Sequence, residues 1–498
     1  MARPAGPAGY ARSHVDVHQL ILDLWPALVS LAHFSAASWV TIDAILRKRQ
    51  SAAVIAWVGL AWLAPFLGAL SYWSFGINRV QRKGVALDLK SAWTGSRQPA
   101  PAGVTAEAVA CVGHSKSLAS LMHLGGALSG YELLPGNRID ALENGDAAFP
   151  AMLQAIDAAE FSVTLLTYIF DNDEAGEQFM HALARARRRG VEIRVLIDDF
   201  GAKYTRPSMV RRLARDELTV ATFLPTRKPW FLPHANLRNH RKIVVVDGRV
   251  GFTGGTNIRE AHWFALNPPE RVRCTHFRVE GPVVAHLQEA FAIDWAFTTG
   301  ERLQGERWFP PLEARGPIAA RGISDGPDED LDKMPDLLLG ALAAATRRVA
   351  IVTPYFLPDD VLLRAMQVTA KRGVQVDLLI PERTNFRVMD WAMRPQLRFL
   401  VEAGCRVHLT PPPFDHSKLM VVDDCWALIG STNWDARSLR LNFEYNVECY
   451  DPAFAVRVVE LVQARMTESR RLDLEELLER PVAWELRDGL ARLFSPYL

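Results

Sequence analysis

An internal repeat constrains the fold of this 498-residue chain more than any other feature of its sequence. Each copy contains an apolar, strand-like run, an amphipathic helical segment, a glycine and a second apolar run. These segments cover 163–170, 176–189 and 191–197 in the first copy and 349–356, 359–371 and 373–380 in the second. Strand, helix and strand in this order predict a βαβ unit with parallel strands. Two such units predict an α/β protein with a duplicated body.

Each copy is followed by the same polar motif at the same spacing. A histidine and a lysine are separated by one residue, an aspartate follows after four apolar residues, and a Gly-x-x-Asn turn comes next. The residues are His240, Lys242, Asp247 and Asn257 in the first copy and His416, Lys418, Asp423 and Asn433 in the second. Side chains alternate along a strand, so the histidine and lysine of each motif share one face. The alternative is a pair of core histidines without a ligand, but the identical spacing favours a common site.

These residue types suit the chemistry of a phosphodiester, which is anionic and resists nucleophilic attack. One histidine can supply the nucleophile and the other the general acid, because imidazole titrates near neutral pH. The lysines and asparagines can hold the phosphoryl oxygens through hydrogen bonds. The sequence shows no cluster of metal ligands, and we expect neither a metal nor an organic cofactor.

The two motifs resemble the HKD motifs of the phospholipase D superfamily, and neighbouring segments resemble those of its bacterial cardiolipin synthases. The similar segments are 238–242, the glycine turn at 254–255, 353–358, 437–444 and 492–498. The resemblance runs from about residue 20 to the C-terminus. It implies a phospholipase D-like α-β-α body of two pseudo-symmetric halves, each with a mixed, largely parallel sheet, preceded by an N-terminal transmembrane helical hairpin.

The resemblance also implies an activity. A cardiolipin synthase transfers a phosphatidyl group from one phosphatidylglycerol to another and releases glycerol, through a covalent phosphatidyl-histidine. By resemblance His240 is the nucleophile and His416 the general acid and base, and the near-symmetric motifs leave the reverse order open. The alternatives are a phospholipase D-type hydrolase or a nuclease using the same histidines, a transferase with phosphatidylethanolamine as co-substrate, and an inactive membrane scaffold.

Carboxylates are expected to support the site. A nucleophilic imidazole needs its second nitrogen fixed by a hydrogen bond, and we expect Glu444 to orient His416. Asp247 and Asp423 are expected to orient the motif strands rather than to contact substrate. The first half departs from the family pattern, because Cys274 stands where an acidic residue is usual. Glu270 and Glu280 are the alternative carboxylates for the first-half histidine.

Two apolar segments predict a membrane anchor within residues 1–84. The segment 52–75 has no charge over 24 residues and is the stronger candidate for a transmembrane helix. A buried core helix is its alternative. The segment 24–42 is interrupted by Pro26 and His33, and a helix lying in the membrane interface is the alternative to a second span. Basic flanking residues favour a multi-pass hairpin in the inner (cytoplasmic) membrane, with the catalytic body in the cytosol.

The remaining chain is expected to form a linker over 85–135, a first half over 136–320 and a second half over 321–498. The segment 230–233, just before the first motif, is expected either to dip into the membrane interface or to pack as a buried loop. Five scattered cysteines argue against a disulfide framework and suit a reducing compartment.

The charge balance bears on the partners. The net charge is +1 at pH 7, which disfavours nucleic acid, because nucleic-acid phosphates usually require a basic protein surface. The expected partners are therefore membrane phospholipids, namely phosphatidylglycerol and cardiolipin, together with the lipid bilayer. A homo-oligomer is left open.

Overall fold

The computed structural model separates into an N-terminal helical unit and an α/β body. The structure describes residues 17–47, 51–76, 115–225, 237–328 and 330–495. Most of the expected linker over 85–135 and the whole segment 230–233 lie outside the described residues. The two units are therefore considered one at a time.

The N-terminal unit is a helical hairpin. Its helices are α1 (Val17–Arg47), α2 (Ser51–Leu63) and α3 (Leu67–Ser71), followed by one π-helical turn, Tyr72–Gly76. Small residues allow α1 and α2 to approach closely, since Ala37 and Ala61 are buried where they meet. Two hydrogen bonds link the arms: Trp62 Nε1 donates to Thr41 Oγ1 (3.0 Å) and the Tyr72 hydroxyl donates to Asp43 (2.8 Å).

The two apolar segments differ from their predicted lengths. The segment 52–75 is not one helix, because α2 ends at Leu63 and the chain restarts at Leu67. Pro65 cannot donate a backbone hydrogen bond, and Phe66 takes a left-handed conformation with φ of 59°. Helix α1 is longer than predicted, and Leu24–Arg47 is the one described helix with the length and composition to cross a membrane. The structure thus reverses the expected ranking of the two segments.

The first half of the body is a mixed sheet. Its strands are β1 (Leu134–Glu143), β2 (Ser162–Thr167), β3 (Glu192–Asp198), β4 (Val220–Phe223), β6 (Ile243–Val246), β7 (Val250–Gly254) and β9 (Thr275–Glu280), with two short strands, β5 (Arg238–Asn239) and β8 (Val272–Arg273). The order is β4-β3-β2-β6-β7-β9-β1. Within this order, β2, β3 and β4 are parallel to one another, and the remaining neighbours pair antiparallel. Helix α4 (Lys116–Ser129) precedes the first half and packs into the core of the second half. The helices of the first half are α5 (Asn144–Asp157), α6 (Glu174–Arg188), α7 (Met209–Arg215) and α8 (Val284–Thr299).

The second half repeats this arrangement. Its strands are β10 (Ile318–Asp325), β11 (Arg348–Val352), β12 (Phe356–Leu357), β13 (Gln375–Pro381), β14 (Arg406–Thr410), β15 (Phe414–Asp415), β16 (Leu419–Val422), β17 (Trp426–Gly430), β18 (Trp434–Asp435), β19 (Asn442–Tyr450) and β20 (Arg470–Arg471). The corresponding order is β14-β13-β11-β16-β17-β19-β10. Its helices are α9 (Lys333–Ala344), α10 (Asp360–Lys371), α11 (Arg387–Glu402), α12 (Ala436–Arg440), α13 (Pro452–Glu468), α14 (Leu474–Leu478) and α15 (Val482–Arg492). The same order in both halves confirms the predicted duplication.

The two sheets join through β1 and β10, which pair antiparallel. One face of the joined sheet packs against α8 and α13 in a core that draws residues from both halves, including Phe277 and Phe454. The opposite face carries a separate core in each half, under α5 and α6 in the first and under α9 to α11 in the second. Helices on both faces of a sheet give the predicted α-β-α layering.

The cysteines differ in part from the expectation of free thiols. Cys274, Cys405 and Cys449 are free and buried, whereas Cys425 is disulfide-bonded. A structural disulfide is typical of an oxidising compartment. The disulfide at Cys425 therefore departs from the reducing compartment expected from the scattered cysteines.

Candidate active site

Each histidine motif is held by backbone from the opposite half. Strand β5, which leads to His240, pairs with β19, and β15, which leads to His416, pairs with β8. The His240 N–H donates to the Phe443 carbonyl (2.9 Å), and the His416 N–H donates to the Arg273 carbonyl (2.7 Å). The two motifs are therefore fixed relative to each other by reciprocal strand pairing.

This pairing brings the two imidazoles into one site. Their ring centroids lie 6.1 Å apart and the rings are nearly perpendicular, at 81°. Both side chains are almost buried, with residue exposures of 7% for His240 and 8% for His416. A separation of this size suits one phosphate group placed between the rings, with each ring within hydrogen-bond reach of it.

The lysines and asparagines of both motifs are buried, and the positive charges of the lysines act on both imidazoles. Lys242 Nζ donates to the His240 carbonyl and Lys418 Nζ donates to the His416 carbonyl, each at 2.6 Å. Each ammonium has three N–H donors, so one such bond leaves two for an anion. The amide oxygens of Asn257 and Asn433 are buried and accept no hydrogen bond within the described part of the chain. Buried polar atoms without partners are unusual in folded proteins, and these two amide oxygens can accept only from a donor such as a hydroxyl.

The position of Glu444 in the structure contradicts the expectation that this residue orients His416. Its carboxylate accepts from Nδ1 of His240, at 2.9 and 3.0 Å for the two oxygens. The Ser431 hydroxyl (2.5 Å) and the Asn442 amide (3.2 Å) also donate to it. The reason lies in the strand pairing: Glu444 follows Phe443, whose carbonyl accepts from the backbone of His240. The carboxylate of the second half therefore serves the histidine of the first.

Cys274 occupies the corresponding position for His416. It follows Arg273, whose carbonyl accepts from the backbone of His416, so it stands where symmetry would place a second carboxylate. Nδ1 of His416 instead donates to the Gly255 carbonyl at 2.9 Å. Neither expected substitute replaces the carboxylate, because Glu280 pairs with Arg278 and Glu270 is exposed. One imidazole thus has an anionic partner and the other a neutral one.

Comparison with known proteins agrees with the duplicated fold and the two motifs. The family model described as "Cardiolipin synthase, PLD-like domain" matches residues 152–295 and 338–466. A cardiolipin synthase of Geobacillus thermodenitrificans is 32% identical over 488 residues, covering 96% of this chain and 94% of that protein. The chain belongs to the cardiolipin synthase family.

Further comparisons give the same result. Cardiolipin synthase A of Pseudomonas entomophila is 36% identical over 371 residues, covering 73% of this chain and 76% of that protein. Among solved structures, a phosphatidylserine synthase of Haemophilus influenzae superposes with a TM-score of 0.60 and 15% identity. That match covers 76% of this chain and all of the solved chain. It shows that the two proteins share a fold.

Burial and neighbouring cations keep both imidazoles neutral in this member of the family. Burial lowers the pKa of His240 to about 4, although the Glu444 carboxylate opposes the shift. Burial, followed by the positive charges of Lys418 and Lys242, lowers the pKa of His416 well below its usual range. With Nδ1 of each ring donating its proton, Nε2 carries the free lone pair. A bound phosphate anion would favour protonation of the nearer ring.

The motif aspartates lie away from the imidazoles and fix backbone. Asp247 accepts from the backbone N–H groups of residues 160–162 at the start of β2. Asp423 accepts from the N–H groups of residues 346–348 and from the Thr346 hydroxyl at the start of β11. These contacts agree with the expectation that the two aspartates orient strands.

A buried network also fixes the residues beside each histidine. In the first half, Asp294 of α8 accepts from Asn239 (2.7 Å) and Arg241 (2.8 Å). In the second half, Arg465 of α13 donates to Asp415 (2.7 Å). In the first half the acid lies on the helix and the arginine lies beside the motif histidine. In the second half the arginine lies on the helix and the acid lies beside the motif histidine. The result is a rigid backbone behind both imidazoles.

Several neighbouring side chains were not identified from the sequence. Tyr168 lies 5.2 Å from His240, and Tyr355 and His262 lie 6.5 Å and 6.3 Å from His416, measured between ring centroids. Both tyrosines follow the carboxyl ends of parallel strands, where ligands bind in α/β sheets. That position is the signal that could have singled them out. Among the described residues, no group of three or more His, Cys, Asp or Glu side chains is arranged to hold a metal ion.

Proposed function

We propose that the chain transfers a phosphatidyl group from one phosphatidylglycerol to a hydroxyl of a second, producing cardiolipin and glycerol. The observation that carries the proposal is the pair of facing imidazoles, 6.1 Å apart and flanked by two buried lysines. Relatives named cardiolipin synthase, similar over nearly the whole chain, support this choice of substrate. The lysines and asparagines hold the phosphoryl oxygens.

The reaction has two steps with one histidine in each role. Binding of the phosphate anion favours protonation of His416 at Nε2. In the first step, Nε2 of His240 then attacks phosphorus, the bond to the glycerol oxygen breaks, and His416 gives its Nε2 proton to that oxygen. In the second, His416 takes the proton of the incoming hydroxyl, whose oxygen bonds to phosphorus as the bond to His240 breaks. The acid of the first step is therefore the base of the second.

The unequal Nδ1 partners support His240 as the nucleophile. A phosphorylated imidazole carries a positive charge, and the buried Glu444 carboxylate lies against the Nδ1–H of that ring. His416 has only a carbonyl at the equivalent place. A buried charge requires a compensating partner, so the intermediate is more stable on His240.

The test is to incubate the detergent-solubilised full chain with labelled phosphatidylglycerol and to separate the lipid products. We expect cardiolipin and glycerol, and a loss of at least about 1000-fold in His240→Ala and His416→Ala. His181→Ala, at an exposed position on α6, is the control and should keep wild-type turnover. Phosphatidic acid without cardiolipin would instead establish hydrolysis, and products that require added phosphatidylethanolamine would establish that lipid as co-substrate.

We further propose a multi-pass location in the inner membrane through the α1–α2 hairpin, with the body in the cytosol. Basic residues after the hairpin, Arg79, Arg82 and Lys83, support this side. The disulfide at Cys425 favours the opposite, oxidising side. Thiol labelling in denaturant, of protein recovered from acid-quenched cells before and after reduction, decides between them, because the buried Cys425 then labels only after reduction if the disulfide forms in the cell.

We propose the boundaries 1–84, 85–135, 136–320 and 321–498 for the anchor, the linker and entry segment, and the two halves, to be tested by limited proteolysis.

A further inference from the structure

Two loops at one edge of the sheet expose aromatic side chains. The loop after β3 carries Phe200 and Tyr204, which are 52% and 51% exposed. The loop after β13 carries Phe386, which is 49% exposed. Strands β3 and β13 are equivalent in the two halves, so the two loops with exposed aromatic residues occupy equivalent positions in the repeat. We call the residues 200–206 and 383–387 the aromatic rim.

The aromatic rim borders the candidate active site in both halves. The hydroxyl of Tyr204 lies near that of Tyr168 and helps to raise the pKa of Tyr168, and the Tyr168 ring lies 5.2 Å from that of His240. On the other side, the Tyr355 hydroxyl donates to Asn385 (2.5 Å), the residue before Phe386, and the Tyr355 ring lies 6.5 Å from that of His416. Each loop is therefore one side chain away from an imidazole.

The aromatic rim also carries a net positive charge. Arg206, Arg383 and Arg387 are exposed and form no ion pair with any other described residue. The acids beside them are paired, Asp199 with Lys203 and Glu382 with Arg470. Exposed aromatic residues next to free arginines match the chemistry of a phospholipid interface, where rings enter below the headgroups and cations contact the phosphates.

We propose that the aromatic rim seats the catalytic body on the surface of an anionic phospholipid bilayer, with the two imidazoles facing the lipid. A protein partner fits this place less well, because a second chain bound here would cover the approach to the imidazoles. A bilayer delivers its own lipids to them instead. The inference rests on the proposed function only in taking lipid as the substrate, and it adds the surface by which that substrate arrives.

Photo-crosslinking of the full chain in phosphatidylglycerol vesicles tests the contact. p-Benzoylphenylalanine is placed at Phe200, at Phe386 and, as a matched control, at Phe161. Phe161 is 52% exposed but lies at the amino end of β2, beside Asp247. We expect lipid adducts at 200 and 386 at a yield about fivefold above that at 161, read by mass spectrometry. Equal yields at the three positions, or cross-linked dimers in place of lipid adducts, would overturn the proposal.

The ratio of turnover on vesicles to turnover on dispersed lipid distinguishes a defect in membrane binding from a defect in the reaction itself. For Phe386→Ser and Arg387→Gln, turnover of vesicle phosphatidylglycerol should fall about fivefold relative to turnover of a dispersed short-chain phosphatidylglycerol, because a lost apolar or charged anchor weakens interfacial binding. Phe161→Ser should keep the wild-type ratio. An unchanged ratio in the rim variants contradicts the seating, whereas failure of the wild-type chain to form cardiolipin from either substrate contradicts the proposed function.

Discussion

At the scale of single residues, the active site is symmetric in backbone and asymmetric in charge. His240 and His416 have equivalent backbone hydrogen bonds and face each other. They differ in what accepts their Nδ1 proton, the Glu444 carboxylate for His240 and the Gly255 carbonyl for His416. Because an imidazolium beside a carboxylate is more stable than one beside a carbonyl, the two rings are suited to different roles.

Glu444→Gln tests the role of the carboxylate. The amide preserves the shape and can still accept from His240, but it no longer balances positive charge on that ring. We expect turnover to fall by about 100-fold or more, with less phosphatidyl-enzyme trapped in acid-quenched samples. Glu448→Gln is the control, since Glu448 is buried on the same strand but pairs with Arg321 away from the imidazoles. A loss in Glu444→Gln that disappears when turnover is expressed per folded molecule would show that Glu444 acts only in folding.

Cys274→Glu tests the missing second carboxylate. In the native chain burial and the charges of Lys418, Lys242, His240 and His262 all lower the pKa of His416. A carboxylate near Nδ1 opposes these effects and raises that pKa, so His416 stays protonated to higher pH. We therefore expect the basic limb of the kcat/KM profile to move up by about one pH unit.

The control for this variant is Cys274→Ala, which introduces no charge and should leave the basic limb in place. The readout is the pH dependence of labelled cardiolipin formation, which a purely structural effect would not shift. A Cys274→Glu enzyme with normal folding and an unmoved limb would show that this position does not tune His416.

The pairing of these residues could not be read from the sequence. The motif spacing predicts which histidines, lysines and asparagines form the site, and the structure places the two imidazoles face to face with both lysines acting on them. Spacing along the chain does not say which half supplies the support to each ring. Glu444 was expected to serve His416 because both lie in the second half, whereas the β5–β19 pairing carries it to His240.

At the scale of elements, the motif aspartates fasten the strands that carry the site. Asp247 and Asp423 have φ of 52° and 51°, a conformation that few residues other than glycine, asparagine and aspartate adopt readily. From there each carboxylate reaches the N–H groups at the start of the neighbouring antiparallel strand. The hydrogen bonds place β2 beside β6 and β11 beside β16.

Asp423→Asn measures how much these hydrogen bonds contribute to the free energy of unfolding. Asparagine tolerates the same φ, so the variant removes charge while keeping the backbone. We expect a loss of about 1–3 kcal/mol in the free energy of unfolding, from weakened bonds to three N–H groups. Asp424→Asn is the matched control: it also has positive φ and only pairs with the partly exposed Arg347 and Arg348, so its effect should stay below about 1 kcal/mol.

The pH dependence gives a second measurement on Asp423. Burial raises the pKa of this carboxyl, but hydrogen bonds from residues 346–348 outweigh it, and the pKa is lowered overall. Its contribution to stability is therefore present above the unfolded value of about 4 and is lost as the pH falls through the lower folded value. The gap between wild type and Asp423→Asn in chemical denaturation should close in acid, and a gap that persists there would point to a steric cause.

Sequence reasoning was more accurate for the elements of the body than for the anchor. Periodicity placed α6 and α10 within two residues of their observed ends. The first strand of each unit was predicted too long, because the chain leaves the sheet after Thr167 and Val352 and carries Tyr168 and Tyr355 toward the imidazoles. In the anchor, hydropathy alone predicts one helix over the apolar run. The structure has two short helices there, because the chain breaks the helix at Pro65.

At the scale of the whole molecule, the two halves share a sheet, a core and a site. Strands β1 and β10 join the sheets, and the core under α8 and α13 contains residues of both halves. Arg465 of the second half donates to Thr275 of the first (2.8 Å). Neither half completes the surroundings of its own histidine, which explains why two copies of the repeat are needed for one site.

This sharing predicts that the body unfolds as one cooperative unit. Asp247→Asn perturbs only first-half strands and Asp423→Asn only second-half strands. If the halves unfold together, each variant lowers the midpoint of the same single transition, and the double variant lowers it by about the sum, because the two carboxylates share no partner. Thermal unfolding of the detergent-solubilised chain, followed by tryptophan fluorescence and by circular dichroism, measures this. Two resolved transitions, each moved by one variant alone, would mean that the halves are independent domains and that the shared core contributes little to their coupling.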